Sequence, residues 1–441
     1  MEKKVLSLWT SKRFYIVLLL FFNIIINYID RVSVGVAAPV MSKEFGWDPA
    51  QMGWIFGAFG WAYVLCLIPS GWLADRLGTR KVSMLAITVW SMAVASTGAV
   101  FNFGSMVAAR MALGAGEAAS YPNAGKVIRN WVPAKERGVA TAIWNNGSFV
   151  GPAIAAPFIA WLIINFGWRW SFLILGSLGI IWLVFWVKWY REPEQCEWLS
   201  EEEKQYIIAN RDGEASQDRV VNQPLKIRSV IGQVLCQKTY WGLALALGTV
   251  AYSHYLLLMW LPTYLTQARG MTLMDASLYS SVPFIVSAIL GIMIGRLSDR
   301  LLTPENIRRG KRKQMLITFI LMASIILLTN VVNNEWVVLA ILSIALASLS
   351  TGLTLTFALV NDLVIEPRMA ATVLGMVLFC SNTCGMLSSI ITGYIVKASG
   401  FNTAFYVAGA LLIVGAVISY TFVGQPIVYQ SSEPHNADVA Q

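Results

Sequence analysis

Charge is scarce in this chain. Only 13% of its 441 residues are Asp, Glu, Lys or Arg, and it has two histidines and five cysteines. A solvated globular surface draws about a quarter of its residues from those four charged types, so a soluble domain is excluded. The cysteines show no metal or redox spacing. Cys380 and Cys384 stand one helical turn apart and read as small packing residues. No glycine-rich phosphate loop and no nucleophile–base arrangement occurs, and the central polar stretch is too short for a catalytic domain. An enzyme is therefore not expected, nor is any metal or organic cofactor.

What the chain has in abundance is apolar length. It is 56% hydrophobic, with a mean hydropathy of +0.60. Runs of roughly 20 residues, enough to cross a hydrocarbon core of about 30 Å as a helix, occur at about 14–38, 50–73, 82–102, 104–128, 138–164, 169–189, 239–265, 274–297, 314–332, 336–360, 370–395 and 403–424. None alternates with period two, which excludes a barrel. The expected fold is an all-α membrane protein of twelve transmembrane helices, here spans 1 to 12. Lys3, Lys4, Lys12 and Arg13 precede the first run, but no small-residue cleavage site follows it. The run thus reads as span 1 rather than a signal peptide.

A net charge of +9 would suit a nucleic-acid ligand if the bases were clustered on one surface. They are instead sorted by membrane side. Of the 33 Lys and Arg, Lys43, Arg169, Arg269 and Lys397 fall on one side, Arg31 and Arg110 fall within spans, and the rest fall on the other side. By the positive-inside rule that basic side is the cytoplasm and holds both termini. The partners expected are a bilayer and a small solute, not nucleic acid, and the chain is expected to work as a monomer. The Asn146-Gly147-Ser148 sequon lies inside span 5 and no external loop carries one, which favours a bacterial inner membrane.

The hydrophobic spans divide six and six. Residues 1–190 form the first bundle, 191–238 a cytoplasmic linker with a short surface helix, 239–424 the second bundle, and 425–441 a polar tail expected to be disordered. Within the linker, Ser200 can cap a helix, with Glu203 at the reciprocal capping position. The halves echo one another. "GWLADRLGTRK" (71–81), "ERGVATAI" (136–143) and "GWRWSFLILG" (167–176) recur in the same order, roughly 230 residues later, as "GRLSDRL" (295–301), "PRMAATVL" (367–374) and "GFNTAFYVAG" (400–409).

Duplicated six-helix halves, with Gly71, Asp75, Arg76, Gly78, Arg80 and Lys81 in the pattern GxxxDRxGxRK, resemble the major facilitator superfamily over the whole chain. In physical terms Asp75 sits at a helix end, where it can pair with a base of the neighbouring loop such as Arg137. Such a pair would hold the cytoplasmic face shut in one conformation. Asp75, Arg76, Arg80, Arg137 and, in the second half, Asp299 and Arg300 form the candidate gating set.

Four full charges lie deep within spans: Asp30 and Arg31 in span 1, Arg110 and Glu117 in span 4. Each costs roughly 2.5–3.5 kcal/mol at a helix centre if unpaired, so they should meet across a central cavity. Arg110 and Glu117 are two turns apart on one face, whereas Asp30 and Arg31 diverge by about 100°. Cross-helix pairs follow, each acid with the other helix's base. A substrate carboxylate and Glu117 would then compete for one guanidinium, and protonation of Glu117 would release it.

"NYIDRVSVGVAAP" (27–39) and "ARMALGAGEAASYPN" (109–123) also resemble the anion:cation symporters, which include bacterial galactonate, glucarate and hexuronate carriers, sialin and the vesicular glutamate carriers. The resemblance implies proton coupling at Asp30 and Glu117 and substrate binding at Arg31, supported by Arg110. It places Tyr28 and Tyr63 along the site. Where galactonate-type carriers have Gln in span 5, this chain has Ser148, with Asn145 one turn before it. From the second half, Tyr252, Tyr255, Ser381 and Asn382 offer hydroxyl and amide partners for a polyol, while His254 is not expected to carry a proton. The function implied is proton-coupled uptake of a sugar acid. The alternative is proton-coupled export of small hydrophobic compounds, for which "GSFVGPAIAAP" (147–157) matches the known glycine–proline motif only in part.

Overall fold

The computed structural model describes residues 11–211, 227–301, 305–306, 310–366 and 369–428. Its helices are α1 (Arg13–Phe45), α2 (Pro49–Leu77), α3 (Thr79–Thr97), α4 (Phe103–Glu117), α5 (Ser120–Trp131), α6 (Arg137–Trp189), α7 (Glu201–Asn210), α8 (Ile227–Leu235), α9 (Lys238–Gln267), α10 (Leu273–Leu301), α11 (Lys311–Ala323), α12 (Glu335–Leu363) and α13 (Ala370–Phe422). Among the described residues, eight helical stretches are long and apolar enough to cross a membrane. Outward-facing side chains such as Leu65 and Ile68, 70% and 76% exposed, are apolar, as lipid contact requires.

Two helices, α6 and α13, are 53 residues each, about twice the length of one crossing. Each is two spans joined at a left-handed glycine, Gly167 (φ 78°) and Gly400 (φ 81°), where a side chain would be strained. These two glycines open the repeated segments read from the sequence, so the duplication extends to the turn itself. With α4 and α5 forming one crossing, and α11 continuing as a 3₁₀ helix at Ser324–Asn330, the described residues make twelve crossings in two halves of six.

Span 4 is not the continuous helix expected. It breaks at Ala118–Ala119, directly after Glu117. The cause is Pro122, which has no N–H to give the Ala118 carbonyl four residues back and whose ring crowds that carbonyl. Ser70 of α2 supplies the missing donor, its hydroxyl lying 3.1 Å from the Ala118 oxygen.

The linker helix α7 begins at Ser200, whose hydroxyl accepts the Glu203 amide at 3.3 Å. Glu203 does not complete the reciprocal cap. Its carboxylate accepts instead from the backbone amides of Lys12 (3.2 Å) and Arg13 (3.0 Å), groups that open α1 and have no partner within it. The fully buried Arg13 joins Glu203 to Glu136, at 3.3 and 3.0 Å. The linker therefore caps the first helix. Of the stretch 425–441 expected to be disordered, Ile427 is instead buried and exchanges backbone hydrogen bonds with Leu363 and Ile365, and residues 429–441 lie outside the described residues.

On the face opposite the linker, the far face, the halves meet closely. A Cβ built on Gly53 would lie 2.7 Å from the Ser389 carbonyl, one on Gly393 2.5 Å from that of Pro49, and one on Gly35 2.7 Å from that of Met259. Backbone thus packs on backbone between α2 and α13 and between α1 and α9, as small residues allow in membrane helices. Two side-chain hydrogen bonds also cross there, Trp54 to Tyr394 (3.3 Å) and Lys397 to Asp48 (2.7 Å).

The Lys397 ammonium, with the Gln51 amide, holds the Asp48 carboxyl below the usual carboxylate range, and Asp48 raises Lys397. A lowered acid favours the closed seam above the ordinary carboxylate pKa of about 4 and loses that effect as pH falls through its own lowered value. A raised lysine acts below about 10.4 and is lost above it. The latch should therefore be constant from about pH 5 to 9. Asp48→Asn is expected to raise labelling of a cysteine placed at Ile390, in the seam, by an impermeant maleimide. Because both partners are exposed, the rise should be only two- to fivefold, roughly.

Candidate functional site

Four helices converge on the charges inside the first half. Gly114 on α4 lets α2 approach so closely that a Cβ there would lie 2.0 Å from the Phe59 carbonyl. Gly147 and Gly151 on α6 do the same for α1, meeting Ile24 and Tyr28. Asp30, Arg31, Arg110 and Glu117 are each at most 3% exposed. Arg31 Nε donates to Glu117 Oε2 at 2.7 Å, a buried, charge-assisted bond between α1 and α4.

The second expected pair forms no such bond. Asp30 interacts electrostatically with both Glu117 and Arg110, but Arg110 Nε, Nη1 and Nη2 and Asp30 Oδ1 have no hydrogen-bond partner. Arg31 Nη2 and Glu117 Oε1 are also unpartnered. The four charges thus form one tight ion pair beside a looser acid and base. Removing one member of a buried pair typically costs 3–5 kcal/mol, because the other charge is left alone. A partner of matching shape and charge, such as a carboxylate, would avoid that cost.

Aromatic rings enclose the Arg31 guanidinium. Its central carbon lies 4.9 Å from the ring centroids of Tyr28, Phe59 and Tyr63. Tyr28 and Tyr63 are thus brought together around Arg31. Tyr255 reaches the same group from the second half, interacting electrostatically with Arg31 and packing its ring on Gly385. Tyr252, one turn earlier, points elsewhere: its hydroxyl meets Thr392 at 3.4 Å and its carbonyl accepts from Ser388, so it belongs to the seam between α9 and α13.

Ser148 donates to the Asn145 carbonyl at 2.7 Å, and the Asn145 side chain is exposed. Ser381 and Asn382 both donate to the Leu378 carbonyl of their own helix, at 3.1 and 2.9 Å. These four keep acceptor oxygens but are not joined to the charged cluster. His254 packs edge-on to Tyr255.

Two rings beside the cluster were not singled out in the sequence. The Phe59 ring centroid lies 4.9 Å from the Arg31 guanidinium carbon and 5.2 Å from that of Arg110, and the ring stacks on Tyr63 at 5.6 Å. Tyr121 meets the Tyr28 hydroxyl at 3.3 Å and packs on Trp144. Tyr121 lies within the segment that carries the family resemblance. Phe59 had no signal, since one phenylalanine in an apolar run looks like any other.

The gating residues are arranged differently from the expectation. Asp75 pairs with Lys126 at 3.0 Å, not with Arg137. The Arg137 guanidinium donates to the carbonyls of Val132 (3.1 Å), Arg129 (2.9 Å) and Arg211. Short loops bring backbone acceptors within its reach, while Lys126, on α5, stands beside the end of α2. Arg76 lies over the Trp72 ring at 4.1 Å and Arg80 donates to the Val187 carbonyl at 2.9 Å. The side chains of Asp299 and Arg300 lie outside the described residues.

Two helical halves of six crossings, with charges buried between the helices, are the architecture of a membrane transporter. The Major Facilitator Superfamily model matches residues 20–308 and 305–438, and the chain belongs to that superfamily. It is 34% identical over 435 residues to the probable galactarate/D-glucarate transporter GudP of Bacillus subtilis, covering 95% of this chain and 93% of that protein. It is 30% identical to the D-galactonate transporter of Escherichia coli O6:H1, covering 94% and 96%. Among solved structures it matches the inward open conformation of the E. coli xylose transporter XylE with a TM-score of 0.74 and 14% identity, covering 93% and 96%, a likeness of fold alone.

Proposed function

We propose that this protein is a proton-coupled symporter that takes up a sugar acid, a hexonate, hexarate or hexuronate, across a bacterial inner membrane with both termini in the cytoplasm. The observation that carries the reading is the buried Arg31–Glu117 pair: one guanidinium, held by an exchangeable carboxylate and ringed by tyrosines. The names of the similar transporters supply the substrate class.

The pair works as a competition. With Glu117 ionised, Arg31 is occupied and the site is closed to anions. Protonation removes the charge from Glu117, and Arg31 then takes the substrate carboxylate in two parallel hydrogen bonds. Tyr28, Tyr63 and Tyr255 supply hydroxyls for the polyol chain, and Asp30 with Arg110 provides a second place for a proton. When the proton leaves on the cytoplasmic side, Glu117 recaptures Arg31 and expels the anion. The linker face is the cytoplasmic one in this reading, and the closed far-face seam corresponds to the state open to the cytoplasm, one of two reached by rocking the halves about the site.

The test is uptake of a labelled panel of hexonates, hexarates and hexuronates into proteoliposomes under an imposed inward proton gradient. One or more should accumulate above the external concentration, and collapse of the gradient by a protonophore should abolish the accumulation. Uptake that ignores the gradient would remove proton coupling, and failure of every acid would remove the substrate class. Arg31→Lys, which keeps the charge but not the two-pronged geometry, should weaken binding of the transported acid by roughly tenfold to a hundredfold in counterflow.

A further inference from the structure

We propose that the groove between α1 and the second span of α6, on the linker side of the membrane, is a binding site for an anionic phospholipid, whose acyl chain lies in the groove and whose phosphate meets Lys12 and Lys188.

The groove is a recess of about 820 Å³, lined along α1 from Tyr15 to Ile26 and along α6 from Leu178 to Trp189. Each stretch rises roughly 16 Å as a helix, and half of a hydrocarbon core of about 30 Å is roughly 15 Å. The groove therefore spans one leaflet. Its floor is apolar: Ile16 and Trp182 are buried, and the Trp182 indole N–H is already engaged, donating to the Leu19 carbonyl at 3.0 Å. Phe22, Ile181 and Phe185 are exposed along its length. A chain lying there covers apolar surface on two helices at once.

The charge is at the linker end. Trp198 lines the groove there, fixed by its indole N–H on the Trp189 carbonyl at 3.0 Å and by stacking on Trp131 at 5.6 Å. Tyr15, Trp189 and Trp198 are thus of the two residue types that collect at headgroup level. The Lys12 ammonium donates to the Trp198 carbonyl, which leaves two of its three N–H groups for another acceptor. Ile181, Phe185 and Lys188 follow the i, i+4, i+7 spacing of one helix face, so the exposed lysine continues the groove wall into the headgroup layer. Nearby acids are engaged elsewhere: Glu192 accepts from Thr79 and Asn130, and Glu203 from the amides that open α1. Glu197, the acid next to Trp198 in the chain, is a single carboxylate against two lysines.

Apolar recess, aromatic rim and paired lysines match the chain, interface and phosphate of one lipid in order. A zwitterionic lipid matches them less well, because its ammonium is repelled by the same lysines.

The experiment is native mass spectrometry of the delipidated full chain in detergent, titrated with phosphatidylglycerol or phosphatidylethanolamine. Wild type should retain phosphatidylglycerol with at least tenfold preference. Lys12→Gln combined with Lys188→Gln, both at exposed positions, should lower that retention roughly tenfold to thirtyfold, the effect of two surface lysines on an anionic headgroup. Ile181→Trp, which puts a larger side chain into the groove and leaves the lysines in place, should lower it by a similar factor. Equal retention of the two lipids by wild type would overturn the proposal. Full retention in the lysine variant would place the phosphate elsewhere on the basic face, and full retention in Ile181→Trp would place the chain elsewhere; either overturns it too. A dimer that is lost in Ile181→Trp would assign the groove to a second copy of this chain instead.

Discussion

Glu117→Gln is expected to abolish accumulation of the acid in response to a proton gradient while leaving counterflow of the same acid measurable. Glutamine is neutral at every pH and stands in for the protonated carboxyl. Its amide oxygen can still accept the Arg31 Nε–H that now lies 2.7 Å from Glu117 Oε2, so the helices stay joined. Arg31 is then always free to take an anion, and binding should become independent of pH where wild-type binding weakens as pH rises. A coupled proton contributes about 1.4 kcal/mol, a tenfold accumulation, per unit of pH gradient. The variant should lose that factor for each proton Glu117 carries. Glu117→Ala is a poorer probe because it leaves Arg31 buried without a partner, at a cost of about 3–5 kcal/mol that would show as poor folding. Accumulation by Glu117→Gln equal to wild type would mean that coupling resides elsewhere, with Asp30 the next carboxyl to examine.

The second large effect is expected from Gly393→Val. A Cβ at this position would lie 2.5 Å from the Pro49 carbonyl and 3.0 Å from the Gly53 Cα, both backbone atoms that no rotamer change can move. The closed seam between α2 and α13 must open to accept it, whereas a state in which those helices have parted is untouched. Overpacking of this kind costs about 1–3 kcal/mol, which shifts a two-state equilibrium by roughly ten- to a hundredfold. Transport should fall by a comparable factor, and labelling at Ile390→Cys from the far face should rise by about as much. The contrast with Asp48→Asn is the informative part. Both sites lie on the same seam, but the latch is exposed and the glycine contact is buried, so the glycine should dominate by at least several-fold. Equal effects, or none at Gly393, would mean that the seam does not move during transport.

The twelve crossings, the two halves and the membrane itself were legible in the sequence because each rests on local or additive physics. A run of apolar residues spans a bilayer whatever it packs against, and the duplicated segments announce the repeated fold. The two turns at Gly167 and Gly400 could be placed to within a few residues for the same reason. The four buried charges were also legible, since a full charge in a span has few affordable fates. Their pairing was predicted in half. Arg31 and Glu117 meet as expected, but Asp30 and Arg110 make no hydrogen bond with each other, an outcome set by how the helices pack rather than by their spacing along the chain.

Tertiary structure decided the rest. The sequence pointed Asp75 to a base of the neighbouring loop such as Arg137, but Asp75 pairs with Lys126 of α5, while backbone carbonyls engage the Arg137 guanidinium. Glu203 reads as a local cap, yet its carboxylate goes to the amides that open α1, groups 190 residues away. Tyr252 and Tyr255 are alike in sequence, and only the rotation of α9 against its neighbours turns one to the seam and the other to Arg31. By itself the sequence determined which residues must be in the membrane and which charges needed company there. Only the packing of helices decided which company each one has, because partner choice turns on differences of an ångström or two between elements far apart in the chain.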